Sequence, residues 1–438
     1  MGRNSRARRA AKQHDRRHEH RHQRHSGESS FAAGPRDVDR AVTTLLTQLR
    51  RHRLGAPAVG CAEALRPIPP GDLDRAAATV SLRIVDDLVA GGWTPVDFRE
   101  IARRRIDRVG QSYVLDQVAA VSAQYPRAAL HPRWAAALAQ TGASTWWRSE
   151  RPHLAQWASR HGLSRGDAVL QVFQALALLS ALPRLDVSMP PPGAATVDAG
   201  GTDDPRAAKM LARVRALLAK AESSDFPDEA EALSAKAQEL MTRHALHGAV
   251  TDHAAGRTPT PAPRRIWLDA PYVGAKSLVV SAVAEANRCV TVLFERLGFV
   301  SVIGTGADLS SVELLSTSLL VQATRAMLRA DAPAPRYGQN RTRSFRQSFL
   351  VAYAGRIGER LTETTVAATA EVARDERLLP VLAARSHAVQ AKLHELHPHL
   401  ISKSVGVTNP AGWGAGRAAA DLARLDVHDM IAGDRRAG

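Results

Sequence analysis

A mostly α-helical protein is predicted, with a helical N-terminal domain, an αα-hairpin, and a C-terminal α+β domain that carries a small β-hairpin. Three observations predict it. Apolar residues recur at helical spacing through most of the chain. Two Pro/Gly-rich stretches, 183–203 with PPPGAATVDAGG and 248–263 with TPTPAP, divide the chain as linkers. Two β-rich runs, Arg288 to Phe294 and Phe299 to Ile303, are joined through Gly298. At 438 residues the chain is long enough for two or three domains with cores of their own.

Residues 1–35, with RNSRARRAAKQHDRRHEHRHQRHSGESS, hold almost no apolar side chains, and the composition predicts a disordered basic tail. The helical domain follows over 36–182. Thr94, Pro95 and Asp97 supply a cap, a first-position proline and an acid of capping-box type, and so launch a helix through Val96, Phe98, Ile101 and Ile106. Pro132 opens another helix with Trp134 and Leu138, and Asp167 to Leu182 reads as a buried one.

The third part begins at Asp204, whose carboxylate and the following Pro205 signal a helix start; Leu211, Val214, Leu217, Leu218 and Ala221 then mark one face. Ser223, Ser224 and Asp225 interrupt the pattern. Pro227 restarts it with Asp228 and Glu229 in the first turn, where the helix dipole favours negative charge. The second stripe is Phe226, Ala230, Leu233, Ala237, Leu240 and Met241, so 204–247 is an αα-hairpin too small to bury a core alone. It is expected to pack on a neighbouring domain or to dock a partner. Beyond it, Lys276 to Asn287, Ala307 to Leu328, Thr342 to Arg374 and Leu379 to Leu396 read as helices around the β-hairpin, giving an α+β domain over 264–430.

The run KMLARVRALLAKAESSDFPDEAEALSAKAQELMTRHAL closely resembles the helical hairpin called domain of unknown function 2786. Ala221, Glu222, Ser223, Phe226, Pro227, Glu229, Ala230, Ala237, Gln238, Glu239, Leu240 and Met241 carry the resemblance. Residues from Ile266 to about Val427 are similar to domain of unknown function 7168, on the pieces AEANRCVTV, VIGTGADLSSVELL, RSFRQSFLVAYAGRI and GWGAGRAAADLARL. As the names say, neither family has an assigned activity, so the resemblance implies architecture and little chemistry.

The formal net charge is +16. Residues 1–25 hold nine Lys/Arg against Asp15 and Glu19, a net of +7, which leaves +9 for the remainder. Such an excess favours nucleic acid or another anionic surface by long-range attraction. Nearly all of it is arginine, a preference that a GC-rich genome also produces, so the excess itself is the informative quantity. Cys61 and Cys289 stand in no metal or redox spacing, which fits a reducing cytoplasm. The longest apolar stretch, Leu170 to Leu182, is interrupted by glutamines and too short to span a bilayer, so no membrane contact is expected and no cofactor is invoked.

Several features invite a chemical reading. Arg336, Arg341, Arg343 and Arg346, interleaved with Tyr337 and Phe345, could clamp phosphates beside a stacking face; the competing reading makes Phe345 and Phe349 core and the arginines a solvated turn. In the hairpin loop, Glu222, Ser223, Phe226, Pro227 and Glu229 could dock a protein partner, although acids there are also ordinary helix design. His14, His18, His20, His22 and His25 in the tail, and His394, His397 and His399 near the end, resemble ligand clusters without completing one. Asp308 and Glu313 form a candidate carboxylate pair, yet Thr305 to Asp308 is explained by a capping box. Gly412, Gly414 and Gly416 resemble a phosphate loop, with a tight turn as the default. The leading expectation is a nucleic-acid-associated protein, DNA or RNA unresolved. The alternatives are a module docking a protein through the hairpin and an enzyme with a pocket around Asn287, Cys289, Asp308 and Arg346.

Overall fold

The structure is a computed structural model that describes residues 35–194, 205–224, 227–330, 339–372, 378–401 and 405–422. It divides into two units, residues 1–184 and 185–438. Among the described residues there are 15 α-helices and a three-stranded antiparallel sheet, so the chain is mostly α with a small β component.

The N-terminal unit is all helix: α1 (Pro35–Arg53), α2 (Ala58–Glu63), α3 (Pro70–Ala90), α4 (Pro95–Arg105), α5 (Arg108–Ala123), α6 (Pro132–Thr141), α7 (His153–Arg160) and α8 (Arg165–Ser180). Local chemistry explains the starts. Proline opens α1, α3, α4 and α6, where its missing N–H costs nothing. Thr94 and Asp97 form the reciprocal capping box at α4: Asp97 N–H donates to Thr94 Oγ1 at 3.3 Å and Thr94 N–H to Asp97 Oδ2 at 2.9 Å. The core is aromatic, with Trp93, Phe98, Tyr113, Trp134, Trp157 and Phe173 essentially fully buried. A buried indole needs an acceptor, and each has one: Trp93 donates to the Pro183 carbonyl, Trp134 to Ser122 Oγ and Trp157 to Ser112 Oγ.

The second unit holds β1 (Ala262–Trp267), β2 (Val290–Phe294) and β3 (Phe299–Gly304) in the order β1-β3-β2. Trp267 and Phe294 both pair with Phe299. Every residue of the central strand β3 is buried, which is why FVSVIG reads as an almost unbroken apolar run. Strand β1 lies inside and just beyond the stretch read as linker. Its Pro263, Arg264 and Arg265 disguise it, and proline is tolerated because β1 is an edge strand.

Around the sheet stand α9 (Pro205–Ser223), α10 (Pro227–Ala254), α11 (Val273–Ala286), α12 (Gly306–Ala330), α13 (Gln339–Val372), α14 (Leu378–Leu396) and α15 (Pro410–Leu422). The hairpin α9–α10 packs within the unit: Val214, Leu218, Ala237 and Met241 share one core with Val279, Val302, Leu319, Phe349 and Leu361. Fully buried Gln238 fixes the docking by donating to Asn287 Oδ1 at 3.3 Å and to Thr365 Oγ1 at 3.4 Å. Helix α10 runs past Gly248 as far as Ala254, where Asp252 pairs with Arg385 of α14 at 2.8 Å.

The glycines at the end of the chain are not a turn. They lie inside α15, and a Cβ at Gly412 or Gly416 would overlap the backbone carbonyls of Phe345 or Phe349 in α13, whereas Gly414 has open space. The two helices therefore run in the same direction at a separation only glycine permits. Gly416→Ala is expected to lower stability by about 1–3 kcal/mol through overpacking. Gly414→Ala should be neutral or stabilising by up to about 1 kcal/mol through helix propensity. Thermal melts of the two variants check this, and equal melting temperatures would refute the close-contact account.

Candidate nucleic-acid interface

The sequence-predicted basic patch falls at the start of α13. Arg336 and Tyr337 lie outside the described residues, and so does the side chain of Arg341. Arg343 is exposed and Arg346 is half-buried. Phe345 is half-buried against the core and Phe349 is fully buried, their ring centroids 6.4 Å apart, so this aromatic pair anchors the helix. Between them, Ser344, Gln347 and Ser348 hold the segment that leads into α15. Gln347 Nε2 donates to the Gly406 carbonyl at 3.0 Å, Ser348 Oγ accepts from Asn409 N–H at 3.1 Å, and Ser344 Oγ accepts from Asn409 Nδ2 at 3.4 Å. Asn409 in turn caps α15 by accepting from Gly412 N–H at 2.9 Å.

The glycine contacts make α13 and α15 parallel, which brings their N-terminal ends to the same side, and both helix dipoles present partial positive charge there. Trp413, in the first turn of α15, is 38 % exposed, and the sequence reading did not single it out. Its signal was a tryptophan between two glycines that themselves face α13. Arg417, one turn further on, is paired with Glu359 at 3.4 Å.

The hairpin loop is held by polar groups of its own and by Arg325 of α12. The Glu222 carbonyl accepts from Arg325, Ser223 Oγ donates to the Lys220 carbonyl at 3.0 Å, and Glu229 pairs with Lys220 at 2.7 Å and Ser224 Oγ at 2.9 Å. Hydrogen bonds from Lys220 and Ser224 hold the Glu229 carboxyl below its ordinary value. Phe226 and the side chain of Pro227 lie outside the described residues.

The proposed enzymatic set is distributed by structural duties. Asn287 faces Gln238 of α10 and donates to the Val283 carbonyl at 2.8 Å. Cys289 is buried against Gly304 at the end of β3, and burial, with Asp308 nearby, pushes its thiol well above the ordinary range, so it stays protonated. Asp308 accepts from Thr305 Oγ1 at 2.7 Å and pairs with Arg288 at 2.8 Å. Arg288 takes a left-handed backbone with φ 58° to turn from α11 into β2. Near the C-terminus, His397 Nε2 lies 3.1 Å from Asp186 Oδ2, its ring against Phe294. Among the described residues no group of three or more His, Cys, Asp and Glu is arranged to hold a metal ion, and no helix is long and apolar enough to cross a membrane.

Residues 209–247, the hairpin, match the model of a family described as Protein of unknown function (DUF2786). No curated protein and no solved structure matches the chain.

The Arg288–Asp308 pair gives a direct check on this assignment of duties. Arg288→Ala leaves a carboxylate that is 3 % exposed without its guanidinium, and should cost about 3–5 kcal/mol of stability. Adding Asp308→Asn should recover part of the loss. A denaturant titration of the single and double variants measures it, and additive losses would refute the pairing.

Proposed function

We propose that the protein associates with nucleic acid, with the paired helix ends of α13 and α15 as one contact surface. The observation that carries this reading is an exposed Arg343 on a helix end that runs parallel to the end carrying a part-exposed Trp413. Arginine forks match phosphate oxygens, and an exposed indole offers every base a stacking face without demanding a sequence. The net charge of +16, and the tail's share of it, support the same reading by drawing a polyanion in from a distance. Within this proposal the protein works in the cytoplasm, and 266–427 forms the domain that its likeness to domain of unknown function 7168 suggests.

The test is fluorescence anisotropy of labelled single- and double-stranded DNA and RNA, with the full chain and with a chain that begins at Gly34, across a salt series. Binding by the shorter chain should weaken with salt in proportion to the phosphates engaged, with a slope of about −0.9 per phosphate on duplex DNA. Trp413→Ala should weaken single-strand binding by about 1–3 kcal/mol and spare the duplex. Absence of binding at low salt, or affinity unchanged up to 0.5 M salt by order of magnitude, would refute a phosphate-driven function.

A further inference from the structure

Outside the basic tail, the charge is concentrated in the N-terminal unit. Residues 35–184 hold 20 arginines and no lysine against 13 acids, 20 − 13 = +7, whereas 185–438 hold 30 Lys/Arg against 27 acids, 30 − 27 = +3. Within the N-terminal unit, residues 99–108 hold Arg99, Arg103, Arg104, Arg105 and Arg108 against Glu100 and Asp107, 5 − 2 = +3. They occupy the C-terminal half of α4, a two-residue turn and the first residue of α5.

Three of these guanidiniums converge on one carboxylate. Glu100, its side chain 12 % exposed, receives Arg99 Nη2 at 3.2 Å, Arg103 Nη2 at 3.1 Å and Arg104 Nη1. Burial pushes the Glu100 carboxyl up, but the hydrogen bonds from Arg104 and Arg103 outweigh it and hold the group below its ordinary value. The other acid, Asp107, caps α5 by accepting from Gly110 N–H at 2.7 Å and also accepts from Gln171 Nε2 at 2.7 Å. Arg99 is pinned further by donating to the Gln140 carbonyl at 3.1 Å. Arg103, Arg105 and Arg108 remain exposed. Basic residues in a last turn complement the helix dipole, but that alone does not gather three guanidiniums around one part-buried carboxylate.

We infer that this arginine fan at the α4–α5 junction is a phosphate-backbone surface of the N-terminal unit, separate from the α13–α15 surface. The inference rests on the nucleic-acid reading above and adds a location to it. Arg103, which Glu100 already orders, loses little freedom when a phosphate arrives, Arg105 and Arg108 add exposed charge beside it, and planar forks suit phosphate oxygens. The exposed charge lies on both sides of the α4–α5 turn, on Arg103 and Arg105 before it and Arg108 after it, which offers a polymer of phosphates several contacts rather than one.

The experiment compares the full wild-type chain with R103Q/R105Q/R108Q and R103K/R105K/R108K, each first shown to melt like wild type. Labelled DNA and RNA, inorganic phosphate, and phosphatidylserine vesicles are the probes. Loss of three phosphate contacts should weaken nucleic-acid binding on the order of 100-fold at 0.1 M salt and make the log–log salt slope shallower by about 2.7. The lysine variant should keep the wild-type slope. If wild type binds and the glutamine variant binds with the same affinity and slope, this surface is not engaged, while the nucleic-acid reading stands. If the full chain binds no nucleic acid at low salt, both fall. Tighter binding to the vesicles than to any nucleic acid would overturn this inference in favour of a lipid headgroup.

Discussion

The architecture of the second unit depends on the contact between α13 and α15. Helix α13 is 34 residues long and contributes Phe349, Leu350, Tyr353, Ile357 and Leu361 to the common core. It can serve neighbours on several sides only if one of them comes very close, and Gly412 and Gly416 permit that approach by leaving room for the Phe345 and Phe349 carbonyls. Arg360 closes the far end of the contact by donating to the Ala420 carbonyl. Everything offered as a functional surface in this unit follows from that packing. The parallel course of the helices puts Arg343 and Trp413 at corresponding ends, and Asn409, held by Ser344 and Ser348, sets where α15 begins.

A second constraint is the buried polar contact between the hairpin and the α+β core. Gln238 has no exposure, so its amide must find partners inside, and Asn287, Thr242 and Thr365 supply them. An apolar stripe alone would let α10 slide along its neighbours; an amide that must meet another amide fixes one register. This bears on the docking reading. A hairpin of about forty residues needs cover for its apolar face, and here the same chain provides it through Val279, Leu319 and Phe349. A protein partner would have to meet the hairpin's outer side, where Lys236, Glu239 and Arg243 pair among themselves.

Much of the fold was legible because the chain marks helix starts locally. Thr94-Pro95 and Pro132 announce α4 and α6, Pro227 announces α10, and β-branched runs announce β2 and β3. What stayed hidden depends on partners far away in sequence. Gly412 and Gly416 look like turn residues until Phe345 and Phe349 are seen beside them. Strand β1 carries a proline and two arginines, and only its pairing with β3 declares it a strand. Gly248 reads as a helix end, yet α10 continues, since one glycine costs a helix only about 1 kcal/mol and the pairing of Asp252 with Arg385 lies beyond it. For the candidate surfaces the same holds: Arg343 could be named from its basic neighbours, while Trp413 and the Glu100 fan required the three-dimensional arrangement.

Charge in this protein has to be read after subtracting the pairs the fold consumes. Arg264 with Glu313, Arg288 with Asp308, Arg385 with Asp252, and Arg356 and Arg417 with Glu359 are structural pairings in the second unit. Arg264 ties strand β1 to α12, Arg385 and Arg417 tie helix to helix, Arg356 pairs within α13, and Arg288 reaches from the α11–β2 turn to α12, so these five arginines serve the fold. The N-terminal unit holds pairs of the same kind. Buried Asp72 and Asp74 pair with the part-exposed Arg75 and Arg165, and buried Asp116 meets His153 and Trp146. Removing such pairs takes away equal charge of both signs, so the excess of +7 over residues 35–184 is left to the other side chains. A long-range field follows the charge left after such neutral pairs are removed, so under the nucleic-acid proposal the smaller helical unit, with +7 over residues 35–184 against +3 over 185–438, is the part that would draw a polyanion first.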